Sequence, residues 1–401
     1  MKFLSKEEFL EKFSKRNTKS FDAFMNKAKV KTSKKVLPIK DYIKDKDVNI
    51  QSLKLLFENI QIREEYLTRF YNLSLFVHSD RFSFSSVKPM KNLHFNNNEE
   101  STYKNIIRNM HWKDILKNTK SGIENVPTFL DMLEDLYLKD IIDYKIITPS
   151  SLYYMKEGRI GSIFSSYYFR ASIMNPYLVY SINMSVLKGT KIFTPTLGWS
   201  SYCYGFLECP NVVEYVGTDV IPSVCKKTQK FADKHYPQKN TSIYCEPSEH
   251  LLDNSQFMNK YKNHFDVVYF SPPYYKLEEY PGKKQSTEQY KTYEEWLKKY
   301  WEATIQLCYK VLEKGGRLCY IVSNYGSENT GQHYDIVKDT TNITKKYFEL
   351  KSIQPMYNKD VHNTMHKETN EQILIFTKLR SGNLLRGTNV PPETPSFDNG
   401  I

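Results

Sequence analysis

The sequence predicts an α/β protein, a doubly wound and mostly parallel sheet preceded by a helical N-terminal domain. Three observations carry this reading. Short apolar runs alternate with helical patterns from about residue 150 to 380; the run Phe265-Asp266-Val267-Val268-Tyr269-Phe270 ends in Ser271-Pro272-Pro273-Tyr274; and a glycine loop precedes a strand that closes on a carboxylate. Strand–helix alternation builds parallel sheets through crossover helices, and ligands of such sheets bind at the carboxyl ends of the strands.

Residues 1–150 read as helical and basic. Apolar residues recur at helical spacing over Lys6 to Phe13, Phe21 to Val30, Asn49 to Leu75 and Pro127 to Ile142, whereas Ser79 to Ser101 lacks a pattern and predicts loop. In Asn49 to Leu75 one apolar face is formed by Leu53, Leu56, Phe57, Ile60, Leu67, Phe70 and Leu73. The formal charge of the 401-residue chain is +12, and residues 1–40 hold twelve Lys/Arg against four Asp/Glu. Clusters such as Lys27, Lys29, Lys31, Lys34 and Lys35 suit a phosphate backbone, which is bound through counterion release without regard to sequence; a solvated basic tail reads the same.

The second half is read strand by strand. Gly189 to Thr194 predicts a first strand, followed by the small-residue loop Pro195-Thr196-Leu197-Gly198 and the start of a helix. Val212 to Asp219 predicts a second strand ending in an acid 21 residues beyond Gly198. That separation is close to the ~20 residues between a glycine loop and a ribose-binding acid in dinucleotide folds. Glycine lets a ligand approach the backbone, the helix N-terminus offers free N–H groups, and the acid accepts ribose hydroxyls. Thr241 to Glu246 predicts a third strand and Phe265 to Phe270 a fourth. Tyr275 to Tyr290, polar and containing Pro281-Gly282, predicts a mobile loop. A helix with Trp296, Leu297, Tyr300, Ala303, Leu307 and Val311 on one face is expected to stop at Lys314-Gly315-Gly316 with a terminal glycine. Arg317 to Val322 predicts a fifth strand and Glu371 to Lys378 a late, antiparallel one.

In Ser271-Pro272-Pro273-Tyr274 each proline fixes φ near −65° and lacks an N–H, so the turn is stiff and rich in acceptors, and Tyr274 adds a flat face beside them. That set suits gripping the amino group of a flipped base; a proline turn closing a core strand is the plainer alternative. With this motif and the cofactor loop ahead of it, residues 153–378 resemble the DNA amino-methyltransferases, which move a methyl group from S-adenosylmethionine to adenine N6 or cytosine N4. The resemblance implies a Rossmann-like methyltransferase sheet, S-adenosylmethionine as cofactor, and DNA with a flipped base as substrate. A leading serine, as at Ser271, is commoner among the cytosine-N4 enzymes of that family.

Carried over by position, the resemblance assigns Ser271, Pro272, Pro273 and Tyr274 to the catalytic turn, Pro195, Thr196 and Gly198 to the cofactor loop, and Asp219 to the ribose. It puts adenine-ring contacts at Cys245 and Glu246, where a solvated loop explains them equally, and methionine-end contacts at Phe169 and Asn175, where an aromatic core segment is the alternative. Two departures stand out. Thr194 occupies the position of the family's loop acid, and Trp199-Ser200 falls where a second glycine is expected. The implied chemistry is in-line displacement by the base's own amine, helped by carbonyl and hydroxyl acceptors at Ser271 and Pro272. Methylation of RNA or of a protein amide, or a catalytically inactive nucleic-acid-binding subunit, are the rival readings.

Fewer than twenty residues separate Tyr274 from the next helix, and a polar tail, residues 381–401, follows the domain of residues 151–380. Recognition of a DNA sequence is therefore expected from the N-terminal domain, from a partner specificity subunit, or from short loops, with a homodimer also open. The six cysteines lack Cys-x-x-Cys spacing and read as reduced thiols; His362 and His366 lack a metallohydrolase context, so no metal is expected. No apolar run has membrane-spanning length and Met1 to Glu8 is not a secretory signal, which predicts a cytoplasmic protein with no membrane partner.

Overall fold

The computed structural model describes residues 2–14, 18–78, 82–83, 87–122, 126–327, 331–358 and 367–378. His362, His366 and the polar tail of residues 381–401 lie outside the described residues. A seven-stranded sheet forms the centre of the second half: β1 Lys191–Thr194, β2 Glu214–Thr218, β3 Asn240–Tyr244, β4 Phe265–Phe270, β5 Leu312–Val322, β6 Phe348–Asn358 and β7 Lys367–Lys378. Their spatial order is β6-β7-β5-β4-β1-β2-β3. Strands β3, β2, β1, β4 and β5 run parallel to their neighbours, while β7 is antiparallel to both β5 and β6. The chain winds outward from β1 to β3, then returns to start β4 on the other side of β1. That reversal is the topological switch point where open α/β sheets bind their ligands.

The first four strands fall where the apolar runs predict them, and each has a reason in its residues. In β4 all but Asp266 are buried, and the Asp266 carboxylate accepts the Thr190 N–H at 2.8 Å, the Thr190 hydroxyl at 2.7 Å and the Lys191 N–H at 3.1 Å. One acid thereby fixes the start of β1 against β4. In β2 every residue is buried, and Gly217 is required because a Cβ there would meet Leu197 Cδ2 at 2.5 Å. The loop after β1 can lie against β2 only over a glycine. The helices fall into two packed groups: Pro176–Ile182, Ser201–Leu207 and Pro222–His235 in one, and Ser248–Asp253, Ser255–Tyr261, Ala303–Val311 and their neighbours in the other.

Several boundaries differ from expectation. The helix that begins at Tyr293 passes through a π-helical stretch, Trp296–Glu302, and ends at Val311 with an extended Leu312, so Gly315 is not its terminal glycine. Gly315 instead takes φ +80° inside the irregular start of β5, where the register with β4 shifts between Leu312 and Arg317. The expected loop of residues 275–290 contains a two-residue strand, Glu278–Glu279, paired with Lys120–Ser121, and a short helix, Ser286–Gln289. Strand β6 was hidden by its mixed polarity, Phe-Glu-Leu-Lys-Ser-Ile-Gln-Pro, which suits the sheet edge it occupies.

In the N-terminal part, Asn49 to Leu75 is two helices, Ile50–Gln61 and Arg63–Ser74, because Ile62 departs from helical geometry at ψ 20°. Helix Phe21–Lys27 stops before Lys29–Lys31, the middle strand of a small sheet with Val36–Pro38 and Ile141–Asp143. The buried Arg63 side chain donates to the carbonyl oxygens of Ile60 and Tyr137, tying helices far apart in sequence. Helices Pro149–Lys156 and Ile160–Tyr167 pack on Ile50–Gln61 and Arg63–Ser74, so the packing of this part runs past residue 150. Among the described residues no helix is long and apolar enough to cross a membrane, and no group of three or more His, Cys, Asp or Glu is placed to hold a metal ion. The six cysteines are free, and all but Cys245 are buried.

Candidate active site

A cavity of about 570 Å³ opens at the carboxyl ends of β1, β2 and β4. Pro195, Thr196 and Gly198 line it from β1, Asp219 from β2, and Ser271 to Tyr274 from β4. The two loops touch directly: the Thr196 hydroxyl donates to the Ser271 carbonyl at 3.3 Å. Tyr202, on the helix after β1, accepts the Ser271 N–H at 3.1 Å and donates to the Ser271 carbonyl at 3.5 Å. The Ser271 carbonyl, expected as an acceptor for the target amine, is thus already engaged by Thr196 and Tyr202. Acceptors for a ligand at this turn then come from the Ser271 hydroxyl and the Pro272 carbonyl.

The Tyr274 hydroxyl accepts the N–H of Ser323, the residue after β5, at 2.8 Å. Its ring stacks on Tyr325 with centroids 5.6 Å apart and planes at 18°. Burial pushes the phenol well above its ordinary range, so it stays protonated. Ring orientation is therefore set by a hydrogen bond at one end and a stacked neighbour on one face.

The loop after β1 is strained. Gly198, Trp199 and Ser200 take φ +51°, +58° and +73°, a left-handed run in which two of three residues are not glycine. Gly198 rests on the Tyr202 ring, where a Cβ would come within 2.4 Å. Ser200 is held by a relay of side chains. The Thr228 hydroxyl donates to the Val224 carbonyl at 2.8 Å and lies 2.6 Å from the Ser200 hydroxyl, which is hydrogen-bonded in turn to His111 Nε2 at 2.8 Å. His111 Nδ1 is buried without a partner. Burial first, and the Lys227 ammonium second, push this imidazole down to about 3. Trp199 is buried against His111 and Tyr280, with centroids 6.0 and 5.8 Å away.

Asp219 accepts the N–H groups of Leu197 at 3.2 Å, Val220 at 2.8 Å and Ile221 at 3.1 Å, which aligns its carboxylate between the β1 loop and the helix after β2. Burial raises its proton affinity while the three N–H donors oppose that shift. Thr194 does not replace the family's acid: it is fully buried, with its hydroxyl 2.6 Å from that of Tyr215, away from the cavity lining.

Of the remaining sequence-predicted residues, Glu246 lines the cavity and Cys245, beside it, is exposed and does not. Phe169 and Asn175 are also outside the lining. The Phe169 backbone pairs with Pro127 and Phe129, and Asn175 caps helix Pro176–Ile182, its side chain accepting the Tyr177 N–H at 3.0 Å. Ser172, Ile173 and Met174, from the same stretch, form the wall instead.

Sequence reasoning missed five charged residues of the lining: Lys104, Glu249, Glu278, Lys284 and Glu371. Burial raises the proton affinity of all three acids and brings Lys104 down to about 8. The Glu278-Glu279 pair held a usable signal, since strand alternation sends one inward; the burial order shows that Glu278 is that one.

Residues 265–391 match the family model of the N6/N4 DNA methylases, a span beginning with β4 and its Ser-Pro-Pro-Tyr turn. Among curated proteins none matches this chain. Solved structures similar to it include TrmN from Thermus thermophilus, at 12% identity over 51% of this chain and 49% of that one with a TM-score of 0.33. The chain spans about half the length of that protein. Others are the N-methyltransferase NodS from Bradyrhizobium japonicum in complex with S-adenosyl-L-homocysteine, at 10% identity over 51% and 84% with a TM-score of 0.32, and an S-adenosylmethionine-dependent O-methyltransferase from Thermotoga maritima, at 14% over 53% and 68% with a TM-score of 0.32. The strand order and its switch point carry the fold assignment on their own. With the family match they bear out the resemblance to DNA amino-methyltransferases: the chain holds an S-adenosylmethionine-dependent methyltransferase domain, and S-adenosylmethionine is its cofactor.

Proposed function

We propose, from the premise that this chain carries the N6/N4 DNA methylase segment, that it methylates the exocyclic amine of a base flipped out of DNA, cytosine N4 in preference to adenine N6. The observation that supports this most is the hydrogen bond joining Thr196 to Ser271, which sets the cofactor loop and the Ser-Pro-Pro-Tyr turn side by side over one cavity. The donor set fits the cofactor: a left-handed glycine loop, an acid at the end of β2 with three backbone N–H groups aligning it, and an enclosed space of suitable size. When bound, S-adenosylmethionine supplies an electrophilic methyl group.

Asp219 would hold the ribose end, and Pro195, Thr196 and Gly198 would shape the approach of the backbone to the ligand. Tyr274 offers its ring to the flipped base, braced by Ser323 and Tyr325. The Ser271 hydroxyl and the Pro272 carbonyl accept hydrogens of the amine and so return lone-pair density to its nitrogen. No enzyme nucleophile takes part; positioning and exclusion of water account for the rate. The preference for cytosine rests on the serine that leads the turn.

Residues 1–150 are proposed to contact DNA through phosphates. Lys27, Lys29, Lys34 and Lys35 are exposed on this part, whereas Lys31 pairs with Asp135 at 3.4 Å. Incubating the protein with methyl-labelled S-adenosylmethionine and DNA, followed by digestion to nucleosides, tests the reading. Label is expected in N4-methylcytosine. Label in N6-methyladenine corrects the base, and label only in RNA or protein, or nowhere, overturns the proposal.

A further inference from the structure

Glu278 is 6% exposed and lines the cavity. Its Oε1 accepts the Ser172 N–H at 2.9 Å, while Oε2 is buried with no hydrogen-bond partner. The hydroxyls of Ser172 and Tyr280 lie close enough to the carboxylate to oppose the rise in its proton affinity that burial causes. Among the described residues no lysine, arginine or histidine forms an ion pair with Glu278. A buried carboxylate with no cation paired to it is costly to leave so, and is commonly completed by a ligand.

Its position is fixed on both sides. Glu278–Glu279 pairs with Lys120–Ser121, and the Gly122 N–H donates to the Leu277 carbonyl at 3.1 Å. A Cβ on Gly122 would fall 2.1 Å from the Lys276 carbonyl oxygen, so the two segments meet at a distance only glycine permits. On the cavity wall Glu278 is joined to Ser172 and neighbours Tyr280, which packs on Trp199 of the cofactor loop. Thr194, where an acid would otherwise stand, faces Tyr215.

We infer that Glu278 supplies the missing negative charge of the cofactor loop, its Oε2 accepting the α-ammonium group at the methionine end of S-adenosylmethionine. The inference rests on the cofactor reading above. Strand alternation brings in from the loop after β4 a carboxylate that the loop after β1 lacks. Glu278 is then a binding residue for the cofactor, and its contribution is selective for ligands that carry the ammonium group.

The test compares two nucleosides by titration calorimetry on the full chain: S-adenosylhomocysteine, which has the amino-acid end, and 5′-methylthioadenosine, which lacks it. Glu278→Gln keeps the size and the Ser172 contact but removes the charge. It is expected to weaken S-adenosylhomocysteine about 10- to 100-fold, the range of a lost charge-assisted hydrogen bond, and to leave methylthioadenosine within about twofold. Unchanged affinity for the first, or equal weakening of both, overturns the inference. Should the variant fail to fold, the wild-type chain is titrated with S-adenosylhomocysteine lacking its α-amino group; binding as tight as the parent overturns the inference equally. A wild-type chain that binds none of these nucleosides overturns the cofactor reading itself, a result distinct from the selective failure.

Discussion

Two loops meet over the cavity, and they are shaped by different means. The turn after β4 takes its form from its own residues: two prolines fix its dihedrals, and the neighbours of Tyr274 only orient a ring already pointed by the backbone. The loop after β1 takes its form from elsewhere. Trp199 and Ser200 occupy a left-handed geometry that costs roughly 1–3 kcal/mol for each non-glycine residue. They are held there by His111, 89 residues away in sequence, and by Thr228, 28 residues away. Locally encoded geometry tolerates change in the rest of the molecule, whereas geometry imposed by packing fails when the distant contact is removed.

The largest effect that would sharpen this contrast lies at the β4 turn, where chemistry and shape coincide. Tyr274→Ala removes the stacking face but leaves the prolines. Stacking contributes roughly 1–3 kcal/mol per base and misplacement of the amine adds to it, so single-turnover methyl transfer should fall about 10²- to 10³-fold. S-adenosylhomocysteine affinity should stay within about threefold, because Tyr274 touches the base rather than the donor. Near-normal turnover would break the assignment of the turn, and a parallel loss of cofactor affinity would break the independence of the two loops.

The same contrast explains what could be read from the residues alone. Strands β1 to β4, the carboxylate Asp219 and the Ser-Pro-Pro-Tyr turn are visible because apolar runs, a fixed spacing and prolines are local signals. The wall from Ser172 to Met174 was expected at Phe169, three residues before it, and Asn175, one residue after it, since nothing local distinguishes a side chain that packs or caps from one that lines a cavity. Lys104, Glu278 and Glu371 come from three distant parts of the chain and meet only through folding. The split at Ile62 and the early end of the helix at Val311 lack any glycine or proline to mark them.

His111 offers a pH test of the distant support. Burial depresses its folded value to about 3, below the ordinary 6.5, so between those limits the unfolded chain binds the proton that the folded one refuses. The stability this group contributes is present above pH 6.5 and lost as the pH falls below it. The stability advantage of the wild type over His111→Phe, measured by urea unfolding, should therefore shrink by about 1.4 kcal/mol between pH 7.5 and 5.5. Comparing the two chains at each pH cancels the other titrating groups. An advantage that does not change with pH would show that His111 is not held neutral against Ser200, and would remove the account of the loop as one braced from a distance.

The finest separation of shape from support is at Ser200 itself. Ser200→Ala and Ser200→Gly both delete the hydroxyl that joins His111 to Thr228, so both lose the same two hydrogen bonds. They differ in the backbone: alanine at φ +73° keeps the left-handed strain, whereas glycine adopts that geometry freely. Strain relief of about 1–2 kcal/mol is set against the added entropy of an unfolded glycine, about 0.5–1 kcal/mol, so Ser200→Gly should be the more stable variant by about 1 kcal/mol. Both should fall below the wild type, by about 1 kcal/mol for each hydrogen bond in the alanine variant. Alanine equal to glycine would mean that the loop relaxes out of its left-handed run once the relay is cut. In that event the packing of Trp199 between His111 and Tyr280, rather than the hydroxyl chain, shapes the loop.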